Sequence, residues 1–336
     1  MTPLAALREG IRRVNRAPAL LAGVWLVSLL LALPLALALR AMIAQHLGTS
    51  LAADTALSGV NFEWWDEFRD QAAGLGTTFE LPIIGSAAVL TNLSAFFENE
   101  DQPAVIVGAA VAYMAVWLFL AGGIIDRYAR GRATRSFGFF AASGVFFFRF
   151  LRLAVAMWAV YALLFVRLHS WLFGDSVYGR FTRETTVERS AFLLAVVLHA
   201  LFAIVLAAVN LVFDYAKVRA VVEDRRSMAG ALVAAVRFVG RNGGAAASLY
   251  LLNLLLAVVV IALYTLVAPG AGGGGASIWI ALAIGQLYIL ARLWVKLVFW
   301  ASETALFQGR LAHAGYIAAP KPIWPDSPVA EAIIRS

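Results

Sequence analysis

Of the 336 residues 62% are hydrophobic, the mean hydropathy is +0.81 and the formal net charge is +7. A soluble domain holds about 45–50% apolar residues, so most of this chain belongs in lipid, and the lack of cysteine excludes disulfides, thiolate metal sites and cysteine nucleophiles. The basic residues flank apolar runs instead of gathering on one soluble module, which argues against nucleic acid as a partner and for a bilayer with an anionic inner leaflet.

In chain order, a cationic stretch at residues 6–16 leads straight into the first apolar run. It aligns without a gap to residues 231–241 and more loosely to 139–149, where Arg149 is in register with Arg16 and Arg241. Each copy is read as an amphipathic helix on the membrane surface that turns into a crossing helix. Spans are expected at about 17–39, 104–125, 150–171, 191–213, 245–268 and 278–301, since roughly 20 apolar residues cover about 30 Å of hydrocarbon. The first is too long for the 7–15-residue core of a signal peptide and is read as a retained anchor, with Pro34 late in it. The fold class is therefore all-α: an integral six-helix bundle of three related hairpins with amphipathic cytoplasmic surface helices. One membrane domain covers 1–316, and a proline-rich tail follows at 317–336.

Residues 40–103 form an acidic segment outside the spans. Within it Phe62, Trp65, Phe68 and Ala72 recur at helical spacing opposite Glu63, Asp66, Glu67 and Asp70. That pattern predicts an amphipathic helix resting Trp64 and Trp65 at the headgroup level, or offering a surface to another membrane protein. Residues 81–97 carry too many polar side chains for a clean span, and interfacial, re-entrant and spanning placements stay open. With a cytoplasmic amino terminus, eighteen of the 27 lysines and arginines fall on inner segments and six on outer ones. The positive-inside rule then puts both termini in the cytoplasm, as expected of a multi-pass protein of an inner (cytoplasmic) membrane.

Three groups of residues invite chemistry. Asp126, Asp214 and Glu303 each end an even-numbered span, where a carboxylate opposes the helix dipole; the first two are expected to pair with arginines of the surface helices and pin them to the bundle. Tyr288, Arg292 and Lys296 follow at four-residue steps on one face of the sixth span. A buried arginine there must snorkel, find Asp214 or Glu303, or line a wet cavity. His199, Asn253 and Gln286 each lie eight positions into their spans, with Tyr161 at a similar depth. Such residues serve as interhelical hydrogen-bond glue or as substrate and proton-path groups. His199 has no second ligand at metal-binding spacing, and no cofactor is expected. Gly270, Gly272 and Gly275 satisfy G-x-G-x-x-G but link two spans with no strand before them. Ala142-Ser143-Gly144 is similar to the serine motif of rhomboid-type proteases, yet lacks its preceding glycine.

The stretch from Ala216-Lys217-Val218-Arg219 through Asp224-Arg225-Arg226-Ser227 to Asn242, followed by an apolar span, resembles a recurring unit of uncharacterised bacterial polytopic membrane proteins. It is also similar to the membrane domain fused to some glycerophosphodiester phosphodiesterases. Those enzymes keep catalysis in a separate soluble barrel, so the resemblance implies a six-span fold and no activity. The leading expectation is a non-enzymatic membrane component that scaffolds or anchors a partner. The alternatives are a small-molecule or lipid transporter using the midplane polar residues and Arg292, and an intramembrane hydrolase.

Overall fold

The computed structural model describes residues 1–48, 50, 52–56, 61–79, 94–100, 104–131, 134–269 and 276–311. Residues 80–93, and with them most of the 81–97 stretch, lie outside the described residues, as do the glycine run at 270–275 and the tail at 317–336. The described residues are helical with no strands, and six helices are long and apolar enough to cross a membrane. The chain is a multi-pass, all-α membrane protein.

Helix α1 (Pro3–Asn15) opens with Thr2 capping the amide of Ala5 and Pro3 in the first turn, where its missing N–H costs nothing. After a break at Arg16 and Ala17, α2 (Pro18–Leu47) runs through Pro34 without interruption. Helix α3 (Phe62–Gln71) is capped by Asn61, which accepts from the Trp64 amide at 3.0 Å. Then come α4 (Ala104–Arg130), α5 (Ser136–Leu163), α6 (Glu188–Val222), α7 (Met228–Val267) and α8 (Ala276–Arg310). Beyond α5 the chain continues as a π-helical turn at Leu164–His169.

Most of these helices overrun the expected spans, because hydropathy marks only the stretch that lipid can solvate. The extra turns of α4, α6 and α8 are buried in protein. At the end that carries α1, called here the basic end, Ile124, Ile125 and Tyr128 of α4 meet Tyr215 and Val218 of α6 and Leu297, Val298, Leu306 and Phe307 of α8. Toward the other end, Leu26, Leu30, Leu33 and Leu37 of α2 point outward. In lipid an apolar side chain gains little by leaving its solvent, so tight packing concentrates where the helices leave hydrocarbon and must bury their apolar surface in one another.

Two close approaches set this packing. Ala6, Gly10 and Val14 of α1, spaced four apart, are buried, and α1 packs most extensively on α8. A Cβ built on Gly10 would lie 2.7 Å from Ser302 Cβ and 2.8 Å from its Cα and N, so only glycine lets the two backbones come this near. Helices α4 and α5 touch in the same way, with Gly122 against Phe146 and Gly123 against Ser143. Small residues at these positions let the helix backbones come into direct contact.

The three copies of the basic repeat do not share one conformation. Only residues 6–16 form a separate helix, and its inward face is covered by protein. Residues 139–149 continue into α5 without a break, and residues 231–241 run into α7 through Asn242, whose φ of −121° and ψ of 23° leave the helical region. The Asn242 amide bonds back to the Phe238 carbonyl at 3.2 Å, stabilising the kink from within.

The expected pinning pairs are not formed. Asp126 is held by Arg130 of its own helix at 2.8 Å, and Asp214 by Lys217 of its own helix at 2.7 Å. A partner one turn away is reached without ordering a second helix, so it competes well with a distant arginine. Pinning is done instead by hydrogen bonds. Arg13 donates to the Tyr128 carbonyl and to Gln308 Oε1, both at 3.0 Å, and Gln308 donates to the Ala129 carbonyl at 2.9 Å. Arg149 of α5 reaches Asp224 at 2.6 Å, and Arg219 reaches the Ala234 carbonyl at 2.9 Å.

The acidic segment also departs from expectation. The buried residues of α3 are Trp64 and Phe68, whereas Phe62 is exposed. Trp64 is no interfacial anchor: its indole N–H donates to His46 of α2 at 2.9 Å, and its ring stacks on Phe68. The neighbouring helix, not the headgroup layer, chooses which face turns inward.

Candidate functional site

Two of the three residues singled out on the sixth span, Arg292 and Lys296, line a cavity, and Tyr288 lies outside its lining. Between α4, α5, α7 and α8, closed at the basic end by α6, lies a space of about 690 Å³. Arg292 and Lys296 of α8 line it together with Asp214 and Lys217 of α6. Its remaining wall is almost wholly apolar, built from Met114 and Trp117 of α4, Leu151, Val155 and Trp158 of α5, and Ala257, Val260 and Ile261 of α7. Val155 is 65% exposed and Trp158 51%, so the wall between α4 and α5 opens sideways toward the bilayer.

The cations are held by rings. Lys296 Nζ lies 3.5 Å from the centroid of Trp117, 5.8 Å from that of Trp300 and 5.9 Å from that of Tyr113. Lys217 Nζ is 5.8 Å from the Trp300 ring. Arg292, one turn before Lys296, has its guanidinium carbon 5.6 Å from the ring of Tyr288, which stacks on Tyr264 at 4.0 Å. Each indole face supplies partial compensation for positive charge in a poorly solvated place. Carboxylate compensation is scarce: among the described residues, neither Arg292 nor Lys296 is in an ion pair, while Asp214 is committed to Lys217. Arg292 thus lines the cavity and, among the described residues, is paired with neither Asp214 nor Glu303.

Depth matters as much as charge. Lys296 stands twenty residues along α8 from Ala276 and Arg292 sixteen, which is about 30 and 24 Å at 1.5 Å per residue. A hydrocarbon core is about 30 Å thick, so the two cations sit at the rim of one leaflet and just inside it. The arrangement can hold an anionic group at headgroup depth with an apolar substituent beside it.

The other candidate residues stay outside this cavity. Gln286 accepts from the Trp25 indole N–H at 3.0 Å, tying α8 to α2. Asn253 donates to Ser302 Oγ at 2.9 Å, tying α7 to α8 at full burial. Tyr161 donates to Asn210 at 2.8 Å, joining α5 to α6. His199 Nδ1 lies 2.8 Å from the Ala195 carbonyl, and its ring rests against Phe173. Gln286, Asn253 and Tyr161 each make an interhelical hydrogen bond, whereas that of His199 stays within its own helix. Glu303 is 1% exposed, and neither of its carboxylate oxygens has a hydrogen-bond partner among the described residues. Among the described residues no cluster of three His, Asp or Glu side chains could hold a metal.

Sequence reasoning missed Trp117, Trp300 and Lys217 as parts of this site. Trp117 and Trp300 are three and four residues from Met114 and Lys296 on their own helices, but nothing in the periodicity pairs α4 with α8. No protein-family model matches this chain, and no match is found among curated proteins or solved structures.

Proposed function

We propose that the protein binds an anionic membrane lipid by its headgroup in this cavity, as a lipid-handling or transport component of the membrane. The observation that carries the reading is the presence of Arg292 and Lys296, without carboxylate partners, in an apolar chamber open to the bilayer. A cation in hydrocarbon is costly and is kept where it faces a cavity or a partner, and a guanidinium is suited to bidentate contact with a phosphate or carboxylate. If the basic end is cytoplasmic, as the distribution of lysine and arginine supports, the headgroup comes from the inner leaflet. The scaffolding alternative rests on the acidic segment and the basic helices alone, and those features name no ligand. The cavity supplies a specific binding chemistry, so lipid handling takes precedence.

The test is retention of lipid by the purified full-length protein, measured by native mass spectrometry from mixed phosphatidylglycerol and phosphatidylcholine. The wild type is expected to retain the anionic lipid selectively. Arg292→Gln with Lys296→Gln should lower that selectivity about tenfold or more, the loss of roughly one charge-assisted hydrogen bond. Equal retention of both lipids by the wild type, or unchanged selectivity in the folded double variant, would overturn the proposal.

A further inference from the structure

A second cavity of about 680 Å³ adjoins the first. Met114, Met157 and Trp158 line both, so these three side chains form the partition. The second chamber lies toward the other end of the bundle, among Phe96, Asn99, Glu100, Tyr161 and Phe165. Helix α5 and the turn beyond it form a continuous wall through both. Leu151, Val155, Trp158, Ala162 and Phe165 follow at steps of three or four residues, a row of fourteen residue steps or about 21 Å.

The two chambers differ in charge. Cations line the first, whereas among the described residues no lysine or arginine lines the second, whose polar side chains are Asn99, Glu100 and Tyr161. An anionic headgroup finds no cation there to offset its charge. An acyl chain needs none, for most of the wall is methionine, alanine and aromatic ring. The length also fits: one leaflet's share of the hydrocarbon is about 15 Å, so a 21 Å row accommodates a chain of ordinary length beyond the headgroup. Methionine is unbranched and adaptable, which suits a neck that an alkyl chain must thread.

We infer that the second chamber is the acyl-chain site of the same lipid whose headgroup is held at Arg292 and Lys296, and that the neck of Met114, Met157 and Trp158 makes binding depend on chain length. The inference rests on the lipid-binding reading above. Its energetic basis is packing, because a chain outside the protein already lies in lipid and gains no hydrophobic free energy by entering.

The experiment compares retention of phosphatidylglycerols with eight-carbon and sixteen-carbon chains by the full-length protein in detergent. The wild type is expected to prefer the long-chain lipid about fivefold, a packing effect of modest size. Met157→Trp, which fills the neck, should abolish the preference. Ala162→Trp, which fills the second chamber from an exposed position on α5 that does not line the first cavity, should abolish it while leaving short-chain binding in place. Retention of anionic lipid with no dependence on chain length, or a preference surviving in both variants, overturns the acyl-chain site and leaves headgroup binding standing. Loss of anionic selectivity altogether in the wild type would instead sink the headgroup reading, so the two failures are distinguishable.

Discussion

Gly10→Ala decides between two effects of opposite sign. Alanine is favoured over glycine inside a helix by about 0.8–1.0 kcal/mol, so propensity alone predicts that α1 is stabilised. The new Cβ, however, would stand 2.7 Å from Ser302 Cβ and 2.8 Å from the Cα and N of the same residue. Two of those atoms are backbone of α8, which is itself enclosed by the core and cannot yield as a side-chain tip would. Overpacking of this kind costs about 1–3 kcal/mol, and rigid neighbours put it in the upper half of that range. The net expectation is destabilisation by about 1–2 kcal/mol. Gly144→Ala is the control, since no heavy atom lies within 4 Å of the position where its Cβ would sit; it should be neutral or stabilising by up to about 1 kcal/mol. In detergent at a single scan rate, Gly10→Ala should lower the apparent Tm by about 2–4 °C while Gly144→Ala leaves it level or raises it. Trypsin cleavage within α1 should quicken in the first variant only. A Tm that rises equally in both would refute the close docking of α1 on α8.

Helix pinning separates two further variants. Arg13→Ala removes two hydrogen bonds from a largely buried guanidinium to α4 and α8 and should cost about 2–3 kcal/mol, whereas Asp126→Asn weakens a buried pair confined to one helix turn but keeps an amide oxygen to accept from Arg130 and should cost about 1 kcal/mol. Comparing their Tm values checks both, and a larger effect at Asp126 would reverse the assignment. Asn253→Ala strips Ser302 of its buried donor and is expected to lower stability by about 1 kcal/mol, within the range of interhelical hydrogen bonds in membranes. Gln286→Leu leaves the Trp25 indole N–H without its acceptor; a blue shift or loss of intensity in tryptophan emission, with anionic lipid retention unchanged, is the expected result.

Some of the candidate site was legible without coordinates. Four-residue spacing alone puts Tyr288, Arg292 and Lys296 on one face of α8, and an arginine at that depth already demands a cavity or a partner. The six long apolar helices were equally legible, because hydropathy over about 20 residues reports directly on the solvent a segment can bear. What periodicity cannot supply is which faces meet. In lipid the outward and inward faces of a span are both apolar, so the amphipathic signal that orients helices in soluble proteins fades. That is why the pattern points Asp126 and Asp214 to surface-helix arginines when each pairs within its own helix, and points Trp64 to the headgroups when it packs on His46.

Composition and local order along the backbone are enough to fix the solvent of this chain, its helical class and the concentration of positive charge beside the spans. The meeting of Trp117 of α4, Lys217 of α6 and Lys296 of α8 in one chamber and the closing of α1 on Ser302 through a glycine belong to the folded arrangement alone. Those facts depend on backbone approaches of a few ångströms between segments up to nearly three hundred residues apart, and no local propensity encodes such distances.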